Sequence, residues 1–198
     1  MTNPSNYTEK LKEHFSPLLA AHGQSFKSVD WGSREGQLLR FSVLSQVFLS
    51  KSNSTEATQA RPDSLLDVGC GLGDYLDYLE QHHFSFNYCG IDILPEMIAE
   101  AKRRRPNSNF SCYDIFKEKE LPERFDYTIA SGIFFCGDEN QMKEAIAILF
   151  EKTKVALAFN SLSDWALDKD SSEFFACPLR TLDYCRSLTP WVQLRHDY

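Results

Sequence analysis

A run of glycines follows a short apolar segment and has the composition of a ligand-binding loop. Residues 65–74 read Leu-Leu-Asp-Val-Gly-Cys-Gly-Leu-Gly-Asp. Glycines tolerate positive φ and lack a Cβ atom, so a ligand can approach the backbone closely. The turn after the first strand of a doubly wound sheet lies at the carboxyl edge, where ligands bind. The segment therefore predicts a cofactor-binding loop made of Gly69, Cys70, Gly71 and Gly73.

Two classes of nucleotide-binding loop fit this segment poorly. A phosphate-binding P-loop needs Gly-Lys-Ser/Thr, and the segment has no lysine. A dinucleotide loop needs a small residue at position 74, where the chain has Asp74. That carboxylate would repel a diphosphate by roughly 4 kcal/mol per charge pair at ~4 Å. S-adenosylmethionine fits better, because Asp67 can hold its cationic end and the loop amides can hold its carboxylate.

The segment Asp67–Gly73 resembles D-x-G-x-G-x-G, the first motif of the class I S-adenosylmethionine-dependent methyltransferases. The resemblance implies that Asp92, at the end of the second strand, accepts both ribose hydroxyls and that Ile93 packs on the adenine. It also implies that Asp114 accepts a hydrogen bond from the adenine amine and that the Ile115 amide donates to the ring. The structural alternatives are a helix N-cap role for Asp92 and a turn role for Asp114.

From residue 65 onward, short apolar runs alternate with helical stretches, which argues for a parallel sheet covered by helices. We expect a Rossmann-like, doubly wound α/β core over residues 63–198, a helical N-terminal cap over 1–50 and a loop over 51–62. Pro17 should kink or split the first helix. The segment Trp191–Tyr198 has the pattern of a sixth strand, and we expect the final antiparallel strand of the family to be missing.

Several residues are candidates for the remaining walls of the pocket. By resemblance, Ser131 and Gly132 should line the methionine end. Arg40 shares a helix face with Ser33 and Gln37 and could pair with a carboxylate, or it could simply face solvent.

The predicted acceptor-binding residues are Trp31, Phe134, Asn160 and Trp165. For Trp31, a place in the core is an equally good interpretation. For Phe134, a core role is the better one.

No catalytic side chain is assigned, because the methyl group on a sulfonium is already activated and alignment alone can supply ~7–11 kcal/mol. After the fourth strand the chain lacks both Asn/Asp-Pro-Pro-Tyr/Phe and Pro-Cys, which weakens the case for adenine, amide or cytosine methylation. Methylation of a small molecule is therefore the leading prediction. The alternatives are a non-catalytic protein that binds S-adenosylmethionine or S-adenosylhomocysteine, a protein methyltransferase and, third, a dinucleotide oxidoreductase.

Composition limits the partners. The chain has 198 residues, which suits one structural domain, and its net charge of −7 disfavours nucleic acid. No apolar run approaches the ~20 residues of a membrane span, and the polar start is unlike a secretory signal. The six cysteines form no C-x-x-C pair and are typical of thiols in a reducing cytoplasm. We expect a cytoplasmic monomer or homodimer that binds no metal.

Overall fold

A five-stranded parallel sheet forms the centre of the described part of the chain. The computed structural model describes residues 4–51, 63–117 and 123–198. The strands are β1 (Ser64–Val68), β2 (Asn87–Asp92), β3 (Asn109–Cys112), β4 (Phe125–Ala130) and β5 (Thr153–Phe159). The helices are α1 (Pro4–His22), α2 (Arg34–Ser45), α3 (Asp74–Gln81), α4 (Pro95–Arg104), α5 (Glu139–Glu151) and α6 (Pro178–Leu188), with 3₁₀ turns over Phe26–Val29 and Gln46–Lys51. Of the predicted loop over 51–62, residues 52–62 lie outside the described residues.

The strand order is β3-β2-β1-β4-β5, and all four strand pairings are parallel. The chain winds outward from β1 to β3 and then returns to build β4 and β5 on the other side. The order therefore reverses between β1 and β4, which is the usual place of a ligand site in such sheets.

Helices cover both faces of the sheet because strand side chains alternate between them. Leu65 and Leu66 are neighbours in β1, and both are completely buried. Leu65 packs with Phe41 of α2 and Tyr75 of α3, whereas Leu66 packs with Met142 of α5. The predicted doubly wound α/β architecture is confirmed.

The predicted sixth strand is wrong. Residues 190–198 form no regular element in the structure and follow helix α6. Pro190 has no N–H group for a strand ladder. Polar side chains hold the segment instead: Arg195 donates to Gln46 Oε1 at 2.6 Å, and His196 hydrogen-bonds Ser163 at 2.7 Å. Among the described residues, β5 is the last strand.

The N-terminal cap is helical as predicted, but Pro17 does not split its first helix. Helix α1 runs continuously from Pro4 to His22. Contacts before and after the proline hold the helix on the core. Leu11 is buried and Ser16 donates to Glu96 of α4, and beyond the proline the partly buried Leu19 packs against the same cluster as Leu11. Helix α2 begins after Ser33, whose hydroxyl accepts from the Gly36 amide at 2.9 Å, as its N-cap role predicts.

Candidate active site

A cavity opens at the carboxyl ends of the central strands, beside the point where the strand order reverses. Its wall contains Asp67 of β1, Asp92 of β2, most of the glycine loop, residues 113–116 after β3 and residues 131–136 after β4. Leu11 and Phe15 of α1 close it from the N-terminal side. The N-terminal cap therefore forms part of the cavity.

The glycines of the loop have the left-handed backbone that their residue type allows. φ is +71° at Gly69, +51° at Gly71 and +80° at Gly73. A Cβ atom at Gly69 would lie 2.2 Å from Cγ2 of Ile133, and one at Gly71 would lie 2.8 Å from Cγ1 of Val29. The loop is therefore closely packed against both the β4 loop and the N-terminal cap.

Two backbone contacts fasten the start of the loop to β2. The amides of Gly69 and Cys70 both donate to the carbonyl of Ile91, at 2.8 and 3.0 Å. Cys70 is buried in the cavity wall. Gly73, in contrast, is outside the described lining and is the N-cap residue of α3, so its predicted binding role stays a prediction.

Asp92 lies at the end of β2 and hydrogen-bonds the glycine loop. One carboxylate oxygen accepts from the Gly71 amide and the other from the Leu94 amide, both at 2.9 Å. Burial raises the pKa of Asp92, and the backbone amides partly offset this effect. Asp92 is not the N-cap residue of α4, which is Leu94, although it accepts from the Leu94 amide. Asp92 and Ile93 line the cavity, and their binding of the ribose and adenine stays a prediction.

Asp67 is a buried acid in the cavity wall, with 2% of its surface exposed. The hydroxyl of Tyr88, in β2, donates to it at 2.6 Å. Burial raises the pKa of Asp67 to about 7, and the Tyr88 hydrogen bond lowers it in part. Near neutral pH this group can exchange its proton for a cationic partner. Tyr88 was missed in the sequence because its pairing with Asp67 depends on how β2 aligns with β1.

Asp114 lies in the cavity wall after β3 and is held by its surroundings. One oxygen accepts from the Phe116 amide at 3.0 Å, which is the turn role considered for it. The other accepts from Thr8 of α1 and pairs with Lys117, both at 3.2 Å. Ile115 also lines the cavity.

Asn160 does not line the cavity but holds two residues that do. Its Oδ1 accepts from the Gly132 amide at 2.8 Å, and its Nδ2 donates to the Ser131 hydroxyl at 3.3 Å. Ser131 and Gly132 line the cavity, and their place at its methionine end stays a prediction. The structure therefore gives Asn160 a positioning contact, and its direct binding of the acceptor stays a prediction.

Of the other predicted acceptor residues, Trp31 and Phe134 line the cavity. Trp165 lies outside the described lining, is half exposed, and packs on His196 with ring centroids 4.8 Å apart. Arg40 is also outside the lining: it donates to the Gly36 carbonyl of its own helix and lies over the Trp31 ring. The structure does not bring Arg40 or Trp165 into the cavity.

The basic end of α4 pairs with acids of α3. Arg104 donates to Asp74 at 2.9 Å and to Asp77 at 2.5 Å. The charge of Asp74 is therefore compensated, which weakens the electrostatic reason for excluding a diphosphate. The side chain of Gln37 also donates to Asp74, at 3.2 Å.

The described residues contain no group of three or more His, Cys, Asp or Glu side chains placed to hold a metal ion. In the same residues no helix is long and apolar enough to cross a membrane. The six cysteines all lie in the described part, and the structure records no disulfide among them.

The fold and the cavity together define a Rossmann-like α/β protein with a ligand site at the switch point of its sheet. Residues 65–155 match the family model described as a methyltransferase domain. The chain is 32% identical over 158 residues to Rv1506c, a Mycobacterium tuberculosis protein named as a methyltransferase, and the match covers 70% of this chain and 89% of that one. The chain therefore belongs to the methyltransferase family, and the resemblance seen in its first motif is confirmed.

Other relatives match in part or in fold. The malonyl-[acyl-carrier protein] O-methyltransferase of Acetivibrio thermocellus is 39% identical over 72 residues, which cover 35% of this chain and 25% of that protein. The magnesium protoporphyrin IX methyltransferase ChlM of Synechocystis PCC 6803, solved with bound SAH, has a similar fold: the TM-score is 0.69, the identity 14%, and the coverage 91% of this chain and 88% of that one. The N-methyltransferase NodS of Bradyrhizobium japonicum WM9, solved with S-adenosylhomocysteine, is also similar in fold. Its TM-score is 0.57 and its identity 20%, and the match covers 80% of this chain and 74% of that one.

Proposed function

We propose that this methyltransferase takes its methyl group from S-adenosylmethionine bound in the cavity and transfers it to a small molecule. The observation that carries the proposal is the charge of the cavity wall. The charged side chains among its described lining residues are all carboxylates: Asp67, Asp74, Asp92 and Asp114. Asp74 and Asp114 are paired with Arg104 and Lys117, whereas Asp67 and Asp92 have no cationic partner among the described residues. A wall of this sign suits a sulfonium and an ammonium group.

The cofactor parts are assigned to named residues. Asp67 holds the ammonium group, directly or through water, and the glycine-loop amides hold the carboxylate. Asp92 accepts from the ribose hydroxyls with the lone pairs not used by its two backbone donors. Ile93 and Ile115 flank the adenine. When bound, the cofactor supplies a methyl group on a positively charged sulfur, and the protein aligns a nucleophile with that bond.

The acceptor is neutral or cationic and has an apolar body. Aromatic rings dominate the remaining wall, through Phe15, Trp31, Phe134 and Phe135. The described lining contains no lysine, arginine or histidine that could pair with an anionic acceptor. A general base is needed only for an acceptor that arrives protonated.

We further propose that the protein works in the cytoplasm as a monomer or a homodimer, without metal or nucleic acid. The absence of disulfides among the six cysteines and the net charge of −7 support this setting. Light scattering coupled to size-exclusion chromatography measures the oligomeric state. An assembly larger than a dimer would contradict the proposal.

Thermal unfolding with S-adenosylhomocysteine, and with NADH as the control, tests the cofactor. A ligand at 100 times its dissociation constant adds ~2.7 kcal/mol, which should raise the midpoint by roughly 5–11 °C. A rise with NADH alone would favour the oxidoreductase alternative. Transfer of a labelled methyl group to neutral and cationic aromatic compounds then distinguishes an enzyme from a protein that only binds the cofactor. If proteins are labelled instead of these compounds, the result would favour a protein methyltransferase.

A further inference from the structure

Gln141 places a buried hydrogen-bond acceptor without a partner in the cavity wall. Within the described residues, Oε1 of Gln141 and Oδ1 of Asp164 are the buried side-chain polar atoms that have no hydrogen-bond partner. Of these two residues, only Gln141 lines the cavity. Buried acceptors are normally satisfied, because leaving one unpaired is costly. The Gln141 amide therefore indicates a donor that the polypeptide itself does not supply.

The start of α5 fixes where this amide lies. The carboxylate of Asp138 caps the helix and accepts from the Gln141 backbone amide at 3.0 Å. The next residue, Met142, is buried in the same cluster as Ile115. Ile115, Gln141 and Met142 all line the cavity. Gln141 therefore adjoins, through Met142, the part of the wall that Ile115 forms after β3.

The carboxylate first expected to receive the adenine amine is already occupied. Both oxygens of Asp114 have protein donors, from the Phe116 amide on one side and from Thr8 and Lys117 on the other. These contacts order the turn after β3 and attach α1 to it. Near this end of the cavity, the acceptor of Gln141 has no such competing donor.

We propose that Oε1 of Gln141 accepts a hydrogen bond from the exocyclic amine of the adenine ring and so makes Gln141 a specificity residue for the cofactor base. The inference rests on the proposed function, which places S-adenosylmethionine in this cavity. The amine is a donor, and Ile115, which shares a cluster with the neighbouring Met142, is the residue expected to flank the ring. A site built to receive a donor rejects an analogue that lacks it, because the acceptor is then left buried and unpaired.

The test compares two ligands by isothermal titration calorimetry. One is S-adenosylhomocysteine, and the other is its 6-deamino analogue, in which hydrogen replaces the exocyclic amine. We expect the wild-type protein to bind the first at least tenfold more tightly. Gln141→Met, which keeps the length of the side chain but removes the acceptor, should lose most of this preference. Gln141→Leu is a second variant with the same expectation, should Gln141→Met fail to fold.

Asn140→Met is the matched control, because it removes an exposed amide from the same helical turn and should keep the full preference. Equal binding of the two ligands by the wild type would overturn the proposal, and so would an undiminished preference in both folded Gln141 variants. If those variants transfer the methyl group more slowly but keep the preference between the two ligands, the Gln141 amide contacts the methyl-accepting substrate instead of the adenine. That result would also overturn the proposal. If the wild type binds neither ligand, the proposed cofactor itself is wrong.

Discussion

The buried carboxyl of Asp67 makes the affinity for S-adenosylhomocysteine dependent on pH. Burial raises the pKa of Asp67 to about 7, and its hydrogen bond with Tyr88 offsets only part of that shift. An ammonium group that binds the carboxylate must displace any proton that Asp67 carries. Affinity should therefore fall as the pH decreases through 7, by up to about tenfold per pH unit.

The size of the effect follows from the ionised fraction. With a pKa of about 7, roughly nine-tenths of the Asp67 carboxyl groups are ionised at pH 8 and roughly one-tenth at pH 6. The dissociation constant should be about tenfold higher at pH 6, a difference of about 1.4 kcal/mol. Calorimetry in two buffers of different ionisation enthalpy should count about 0.9 proton released per ligand at pH 6 and about 0.1 at pH 8.

The same shift changes the stability of the ligand-free protein. Because the folded-state pKa lies above the unfolded value of 3.8, the contribution of the protonated carboxyl is fully present below about pH 4 and is lost as the pH rises through 7. The free energy of unfolding should lose up to about 4 kcal/mol over this window. Asp67→Asn should remove the pH dependence of the affinity and the Asp67 part of the pH dependence of stability, whereas Asp183→Asn, an exposed substitution in α6, should keep both. A flat affinity between pH 6 and 8, with no proton release, would refute the contact between Asp67 and the ammonium group.

Three further substitutions test the packing and the hydrogen bonds around the cavity. Gly71→Ala adds a Cβ atom 2.8 Å from Cγ1 of Val29 at a φ of +51°, so denaturant titration should show a loss of roughly 2–4 kcal/mol in the free energy of unfolding. The double variant with Val29→Ala should recover part of that loss, and no recovery would contradict the steric explanation. Arg104→Met removes the shared partner of Asp74 and Asp77. Because Gln37 and Arg105 still donate to these carboxylates, the change should cost about 1–2 kcal/mol by the same titration; an unchanged midpoint would show that the pairing adds no stability. Asn160→Ala removes the acceptor of the Gly132 amide and should weaken S-adenosylhomocysteine binding about five- to tenfold in calorimetry, whereas Asn160→Asp, which keeps that acceptor, should bind nearly as well as the wild type.

The sequence predicts the cofactor side of the cavity because its signals are local. Each parallel strand ends at the same edge of the sheet, so residues that follow the strands must lie close together. Asp67, Asp92 and Asp114 could therefore be placed from spacing and family resemblance alone, and all three line the cavity. Their roles as binding residues stay predictions that the calorimetric experiments test.

The contacts that hold these acids could not be predicted, because they join residues far apart in the chain. Tyr88 reaches Asp67 across 21 positions, and Thr8 reaches Asp114 across 106. No local pattern marks Tyr88 or Thr8 as polar partners, since their contacts depend on strand alignment and on how α1 packs on the core. Gln141 could not be predicted for a similar reason. A glutamine in the first turn of a helix is ordinary, and only the folded structure shows that its Oε1 atom is buried and has no hydrogen-bond partner.

The predicted sixth strand shows the limit of pattern alone. Trp191, Val192 and Leu194 give the segment after Pro190 the composition of a strand, but a strand is stable only beside a neighbour that accepts its hydrogen bonds. The structure instead leaves Trp191 89% exposed and holds the segment through Arg195 and His196. Composition indicates which segments could form strands, and it does not say whether a sheet edge is there to receive them.

The glycines of the loop also allow close packing within the protein, which the motif alone does not show. Missing Cβ atoms were expected to let a ligand approach the backbone, but much of the space they leave is filled by the protein itself. Val29, in the N-terminal cap, occupies the place of a Cβ at Gly71, and Trp31 lies 3.4 Å from one at Gly132. The cap that would receive the acceptor therefore rests directly on the loops that would hold the cofactor. A displacement of the cap would move Val29 away from Gly71, so cofactor affinity and the shape of the acceptor pocket must change together.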